Sequence, residues 1–245
     1  MNFYPIWINN GKNYKRNNYL YVDDSYSSWG YIRVWSVSSK KNLKLLIKKE
    51  TIEYAYDLNL SGEAEIFPLQ MGDGNYNIKL CRNKNGKTYE EIGKISINVS
   101  LMNEFCPFLC PSQYVNYNEK SECVIKAFDF QRETARETIS AIKNFMKNGF
   151  VYNYVRAITQ KTSYIGIPDE CLQSRLGLCL DFSSLFAAMS RSCGIPTKVV
   201  IGYLNKTYHA WNSVYIDGKW LRLDITSIIQ GKATKDKVYK IERVY

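Results

Sequence analysis

The sequence has a single histidine and lacks the uncharged apolar stretch, about 18 residues long, that a membrane-spanning helix requires. Its first residues also lack the basic region and the apolar region of a secretory signal. These absences predict a chain without a membrane span that stays in the cytoplasm. A secreted or cell-surface location is the alternative if a leader had been removed.

Clustered basic residues of the kind that bind nucleic acid are also missing, although the formal net charge is +10. The lysines and arginines are scattered among asparagines and tyrosines, without zinc-finger spacing or an aromatic RNA-binding motif. We therefore predict a solvated basic surface and no nucleic-acid partner. Weak attraction to anionic polymers of a cell surface is the alternative role for this charge.

Metal-binding patterns are absent as well. The seven cysteines are an odd number, so at least one thiol is free in any disulfide arrangement. Cys106 and Cys110 lie close together, but no second pair and no spare histidine completes the four ligands that structural zinc prefers. No acidic cluster offers the oxygen ligands that calcium needs. We predict neither a metal nor another cofactor.

The first part of the chain, predicted as a domain over residues 1–103, consists of short alternating segments. These segments are residues 31–35, 51–56, 76–80 and 95–99. An Asn85-Gly86 pair predicts a hairpin turn, and the even spacing predicts an immunoglobulin-like β-sandwich. Because ionisable residues do not cluster here, we expect an accessory or substrate-docking role. Residues 102–119 are interpreted as a linker laid over a surface.

The second part, residues 104–245, is predicted as an α+β domain. Apolar residues recur at helical spacing from near Glu122 and most clearly over 134–146, and the Asn148-Gly149 pair predicts the end of that helix. Helical and strand-like segments then alternate locally, which is typical of the α+β class.

Cys179 precedes an apolar segment, residues 182–189, that predicts a buried helix ending at residues 193–196. A thiol at the start of a helix faces free backbone N–H groups and the positive end of the helix dipole, which favour a thiolate. Gly177 would allow close backbone approach beside the sulfur. The alternative for Cys179 is a packed core thiol that behaves as a small hydrophobe.

The single histidine, His209, precedes an Asp217-Gly218 pair that predicts a two-residue hairpin turn. Extending the strand pairing from this turn sets Trp211 opposite Asp224, and it sets His209 opposite Thr226. His209 and Asp224 are then diagonal neighbours on one face, about 7 to 8 Å apart between Cα positions. One ring edge can face the carboxylate and the other a thiol, as in covalent acyl transfer.

Three blocks of the sequence resemble the transglutaminase-like superfamily, the papain-related cysteine enzymes, and most of all its bacterial branch. The blocks are residues 177–203, residues 209–212, and residues 218–226. The resemblance covers roughly residues 140 to 230. It implies a helix that carries the cysteine, packed on an antiparallel sheet that carries the histidine and the aspartate.

By this resemblance Cys179 is the nucleophile, His209 the base that activates it, and Asp224 the group that orients the imidazole. The backbone N–H of Cys179 is expected to form part of an oxyanion hole. Gln173 and Tyr152 are alternative second donors, although each could instead be a surface or packing residue, and we expect Trp211 to line the cleft or the core. The chain departs from the family's Asp-Pro-Thr at Asp224-Ile225-Thr226, which puts the local loop geometry in doubt.

A Cys-His-Asp site forms a thioester from an amide, and the acceptor then decides the product. With water as acceptor the chain is a peptidase or amidase acting on a protein or peptide, which is the function we predict. With an amine it is a protein-glutamine transamidase that forms crosslinks, the first alternative. The other alternative is a non-catalytic module that binds a protein or a glycan.

Overall fold

The computed structural model describes residues 3–9, 11, 13–38, 42–59, 61–86, 88–160, 164–233 and 237–245. The chain forms two compact units, Asn9–Pro107 and Met1–Ile8 with Phe108–Tyr245. These bounds differ by a few residues from the predicted domains, because the segment at the start groups with the second unit. There the Ile6 N–H donates to the carbonyl of Leu109 at 3.2 Å.

The unit Asn9–Pro107 contains two four-stranded antiparallel sheets, with strand orders β1-β2-β3-β6 and β5-β4-β7-β8. Their bounds are β1 Lys15–Asn17, β2 Leu20–Asp23, β3 Tyr31–Ser36, β4 Leu43–Lys49, β5 Ile52–Leu58, β6 Glu65–Pro68, β7 Gly74–Asn83 and β8 Tyr89–Val99. Alternate residues are buried along most strands, and the Tyr56 ring of β5 meets the Phe67 ring of β6 with centroids 4.9 Å apart. The predicted strands and the β7–β8 hairpin are confirmed.

The other unit mixes helices with a second antiparallel sheet. Its helices are α1 Glu122–Phe128, α2 Ala135–Gly149, α3 Tyr154–Thr159, α4 Pro168–Ser174, α5 Cys179–Ser192 and α6 Ile225–Ile229. Its strands are β9 Val151–Tyr152, β10 Leu176–Gly177, β11 Thr197–Leu204, β12 Thr207–Ile216, β13 Lys219–Leu223 and β14 Tyr239–Val244. The order β13-β12-β11-β14 forms the sheet, and β9 and β10 form a short parallel pair. The predicted α+β class is confirmed for this unit.

Helix α5 lies at the centre of the core of this unit. It contacts α1, α2, α4 and α6 and also strands β11 and β12 of the sheet. Every residue from Leu180 to Ser192 is buried, whereas Cys179 is partly exposed. The apolar run that predicted a buried helix is therefore confirmed, and Cys179 is the one residue of α5 that is not buried.

The prediction of a surface linker over residues 102–119 is wrong for the part of the segment that belongs to this unit. Leu109, Cys110 and Val115 are buried, at 2%, 0% and 0% exposed. Helix α5 holds the segment, because Arg191 Nη1 donates to the carbonyl of Cys110 at 2.7 Å and Ser184 Oγ donates to that of Tyr114 at 2.7 Å. The segment fills the core instead of lying over it.

All seven cysteines are free thiols. None of the helices in the described part of the chain is long and apolar enough to cross a membrane.

Candidate active site

Cys179 is the first residue of α5, as its position before an apolar segment predicted. The preceding residue, Leu178, is extended, and its N–H donates to Asp181 Oδ2 at 2.8 Å. Asp181 thus caps the helix start from within its first turn, where a carboxylate also suits the helix dipole. The thiol therefore lies at a helix N-terminus that the Asp181 hydrogen bond holds in place.

Gly177 is needed for space next to the thiol. It pairs with Tyr152 in the β9–β10 ladder, and a Cβ built on it would lie 2.9 Å from Asp181 Cβ and 3.0 Å from a ring carbon of Phe182. A side chain at this position would push strand β10 away from the first turn of α5. The predicted close approach is therefore found, but it is to that turn of the helix.

His209 and Asp224 lie side by side in the core, at 8% and 5% exposed. His209 Nε2 is 3.0 Å from Asp224 Oδ2. Burial alone would lower the pKa of His209, but its hydrogen bonds to Asp224 and to Cys179, and the charges of both, raise that pKa to about 9. Because Nε2 faces the carboxylate, Nδ1 is the ring nitrogen available to the thiol.

The path by which Asp224 reaches His209 differs from the prediction. The β12–β13 register agrees with the predicted hairpin from Ile216↔Lys219 to Ser213↔Arg222. Strand β13 then ends at Leu223, and Asp224 is the N-cap of α6. The predicted pairings beyond this point, opposite Trp211 and His209, are wrong, because the chain turns into a helix. The sheet carries the histidine, but a helix cap carries the aspartate.

Asp224 accepts more hydrogen bonds than the sequence predicted. Its Oδ1 accepts from the Ser227 N–H at 2.9 Å, and its Oδ2 accepts from Ser227 Oγ and from the Tyr239 hydroxyl, each at 2.8 Å. Burial alone raises the pKa of Asp224, but His209 and the two hydrogen bonds from Ser227 lower it to about 2. Ser227, three residues after an N-cap aspartate, could have been found from the capping pattern. Tyr239 carries no such signal.

Trp211 packs against one face of the imidazole. Its ring stacks on that of His209, with centroids 6.2 Å apart and an interplanar angle of 23°. It is 2% exposed, so it lies in the core and not on an open cleft wall.

The two suggested oxyanion donors occupy different surroundings. Tyr152 is half-buried, and burial and then the charge of Cys179 raise the pKa of its hydroxyl. Gln173 is exposed, and its Nε2 donates to Glu122 Oε1 at 2.9 Å. Tyr152 pairs with Gly177, two residues before Cys179, so we keep Tyr152 as the preferred candidate of the two.

A further cluster connects the thiol's helix to α3. Asp181 Oδ2 also accepts from Arg156 Nη1 at 2.9 Å and from the Tyr164 hydroxyl at 3.3 Å. The Arg156 guanidinium lies 4.5 Å from the centroid of the Tyr164 ring. These bonds hold α3 against the start of α5. Within the described residues, no group of three acidic, histidine or cysteine side chains suits a metal ion.

Residues 126–225 match the family model of the transglutaminase-like superfamily. No curated protein matches the chain. Among solved structures, a protein from Cytophaga hutchinsonii named as a candidate cysteine protease shares 20% identity at a TM-score of 0.44, over 88% of this chain and 69% of its own. A transglutaminase shares 20% identity at a TM-score of 0.41, over 61% of this chain and 45% of its own. A candidate protease from Parabacteroides distasonis shares 16% at 0.34, over 74% of this chain and 37% of its own.

Proposed function

Residues 126–225 carry a domain of the transglutaminase-like superfamily, and from this premise we propose that the chain is a cysteine-dependent acyl-transfer enzyme acting on peptide or glutamine amides. The observation that carries the proposal is the buried pair of His209 Nε2 and Asp224 Oδ2 at 3.0 Å, in the same unit as a helix that begins at Cys179. A nucleophile, a base and an orienting carboxylate in this order are the parts that covalent acyl transfer needs.

The proposed reaction begins when the proton of Cys179 Sγ passes to His209. Sγ attacks the amide carbonyl carbon, the C–N bond breaks, and His209 gives its proton to the departing amine, which leaves a thioester. The N–H groups at the start of α5, with the Tyr152 hydroxyl as second donor, stabilise the oxyanion. Water then attacks the thioester, His209 takes its proton, and the acid leaves as Cys179 is regenerated.

Hydrolysis is the outcome we propose, so the chain is a peptidase or amidase. The same thioester yields a crosslink when an amine replaces water, so the two outcomes share every step up to the acceptor. The acceptor must therefore be varied in the test.

Helix α3 supports a polypeptide as the substrate. Its one charged residue, Arg156, points inward to Asp181, whereas Val155 and Ile158 are 75% and 85% exposed. An apolar surface directed at solvent is typical of a binding site. Arg156 ties α3 to Asp181, two residues after Cys179, and we propose that the exposed side of this helix contacts apolar side chains of the substrate.

The unit Asn9–Pro107 has the two antiparallel sheets that an immunoglobulin-like sandwich requires. We propose that it is such a sandwich and that it serves as an accessory or substrate-docking domain.

The test is the alkylation rate of Cys179 by iodoacetamide between pH 5 and 9, followed by mass spectrometry of its peptide, in the wild type and in His209→Ala. We expect fast alkylation below pH 7 that is lost in the variant, whose folding is checked by circular dichroism. Glutamine-containing peptides, with and without an added primary amine, then separate hydrolysis from crosslinking. A rate equal to that of free cysteine and identical in both proteins would refute the proposal and favour a binding module.

A further inference from the structure

Tyr239 lies in the last strand, β14, and contacts both groups that flank the imidazole. Its hydroxyl donates to Asp224 Oδ2 at 2.8 Å, the oxygen that also faces His209 Nε2 at 3.0 Å. Its ring meets that of Trp211 edge-on, with centroids 5.0 Å apart and an interplanar angle of 71°. Trp211 in turn stacks on His209. The Tyr239 side chain therefore contacts both the Asp224 carboxylate and the Trp211 ring that stacks on the imidazole.

We propose that Tyr239 is a positioning residue that fixes the orientation of the Asp224 carboxylate and, through it, of the His209 imidazole. This inference rests on the proposed function. Tyr239 has no direct part in bond making, because the carboxylate and the imidazole separate its hydroxyl from the thiol.

The placement of Tyr239 is itself constrained. It pairs with Leu204 in the β11–β14 ladder, and the Arg222 guanidinium lies 4.0 Å from its ring centroid. Burial, and then the hydrogen bond to Asp224, raise the pKa of Tyr239, so the hydroxyl stays a donor across the working pH range. The β11–β14 pairing and the Arg222 guanidinium therefore both restrain the Tyr239 side chain and the direction of its hydroxyl.

Two fixed donors, Ser227 Oγ and the Tyr239 hydroxyl, share one carboxylate oxygen with the imidazole. They restrain rotation of the carboxylate, and they also compete with the imidazole for its negative charge. Removing one hydroxyl therefore has two expected effects: a less ordered imidazole, and a carboxylate that attracts the imidazolium more strongly. Two cations also lie near this site: Lys237, whose Nζ is 3.3 Å from Ser227 Oγ, and Arg222 against the Tyr239 ring. The Cys179 thiol acts on the other side of the imidazole.

The test uses Tyr239→Phe, which keeps the ring and removes only the hydroxyl. Tyr208→Phe is the matched control, because Tyr208 lies on strand β12 of the same sheet and is 60% exposed. The first probe is p-nitrophenyl acetate, whose burst measures acylation of Cys179 and whose steady state measures deacylation by a water that His209 activates. We expect Tyr239→Phe to keep the burst amplitude and to slow the steady state about fivefold to tenfold, the effect of losing one hydrogen bond.

The second readout is direct, because His209 is the only histidine in the chain and gives the only imidazole signals in an NMR titration. We expect the measured pKa of His209 to rise in Tyr239→Phe and to stay unchanged in Tyr208→Phe. A purely structural role would loosen the pair and lower that pKa toward 6.5.

Support requires both a slower steady state and a higher histidine pKa, and any other combination in Tyr239→Phe overturns the proposal. A wild type without a burst that depends on Cys179, judged against Cys179→Ala, would instead refute the proposed function. The two failures are therefore distinguishable.

Discussion

Asp224 Oδ2 and His209 Nε2 are 3.0 Å apart although the residues belong to different kinds of element, His209 to strand β12 and Asp224 to the N-cap of α6. The same carboxylate therefore caps a helix through the Ser227 N–H and pairs with the imidazole. One side chain thus links the start of α6 to the imidazole. A change that frays α6 is expected to disturb the histidine as well.

The pair makes stability depend on pH. The folded-state pKa of His209, about 9, lies above the ordinary value of 6.5, so the stabilisation is complete below about pH 6.5 and is lost as the pH rises through 9. We expect the wild type to lose about 2 to 3 kcal/mol more than His209→Gln between pH 6.5 and 10. Urea unfolding at several pH values measures this difference, and parallel curves for the two proteins would contradict it.

Gly177→Ala is expected to destabilise the start of α5. The added methyl would lie 2.9 Å from Asp181 Cβ, in a contact that the backbone cannot easily relieve, and we expect a cost of about 1 to 3 kcal/mol. Gly149→Ala is the control, because its Cβ would meet only Arg175 Nη1, at 3.8 Å. That variant is expected to be neutral or slightly stabilising. Thermal and urea unfolding compare the two, and equal stabilities would show that strand β10 can move.

Arg191→Met is expected to destabilise the second unit strongly. The guanidinium is fully buried and donates to the carbonyls of Thr197, Cys110 and Tyr245 at 2.9, 2.7 and 3.0 Å. Losing it leaves three buried acceptors unpaired, at a cost of about 3 kcal/mol or more. Arg136→Met removes an exposed ion pair and is expected to cost less than about 1 kcal/mol. Similar unfolding midpoints for both variants would disprove this account.

The apolar surface of α3 is tested by the double variant Val155→Ser, Ile158→Ser. We expect KM for peptides with apolar residues to rise about threefold to tenfold, because each side chain contributes about 1 kcal/mol or less from a partly exposed contact. The p-nitrophenyl acetate burst should not change, since this small ester does not reach α3. Ile125→Ser on α1, 61% exposed, is the control. An unchanged KM would place the substrate elsewhere.

The hairpin shows how far local patterns extend. The Asp217-Gly218 turn predicted the register correctly as far as Ser213↔Arg222, because turn type and strand alternation act on neighbouring residues. It failed past Leu223, since alternation carries no information about where a strand gives way to a helix. The Asp224 and Ser227 pair holds that information, as a helix cap and its first-turn partner.

The linker was misjudged for a related reason. Prolines and aromatic residues over 102–119 indicate irregular backbone, and the backbone is largely irregular there. Irregular segments usually lie on the surface because their polar groups need partners. Here Arg191 and Ser184 supply those partners from inside the core, which allows Cys110 to be fully buried.

The sequence by itself determined the elements that carry the site: a buried helix that begins at Cys179, a strand that holds His209, and an aspartate one hairpin later. These features follow from apolar periodicity and turn chemistry, which act within a few residues. Only the tertiary structure decided which donors surround Asp224. Tyr239 lies fifteen residues after Asp224 and reaches it because β14 pairs with β11. The geometry of the sheet sets this contact, and local sequence patterns do not encode it.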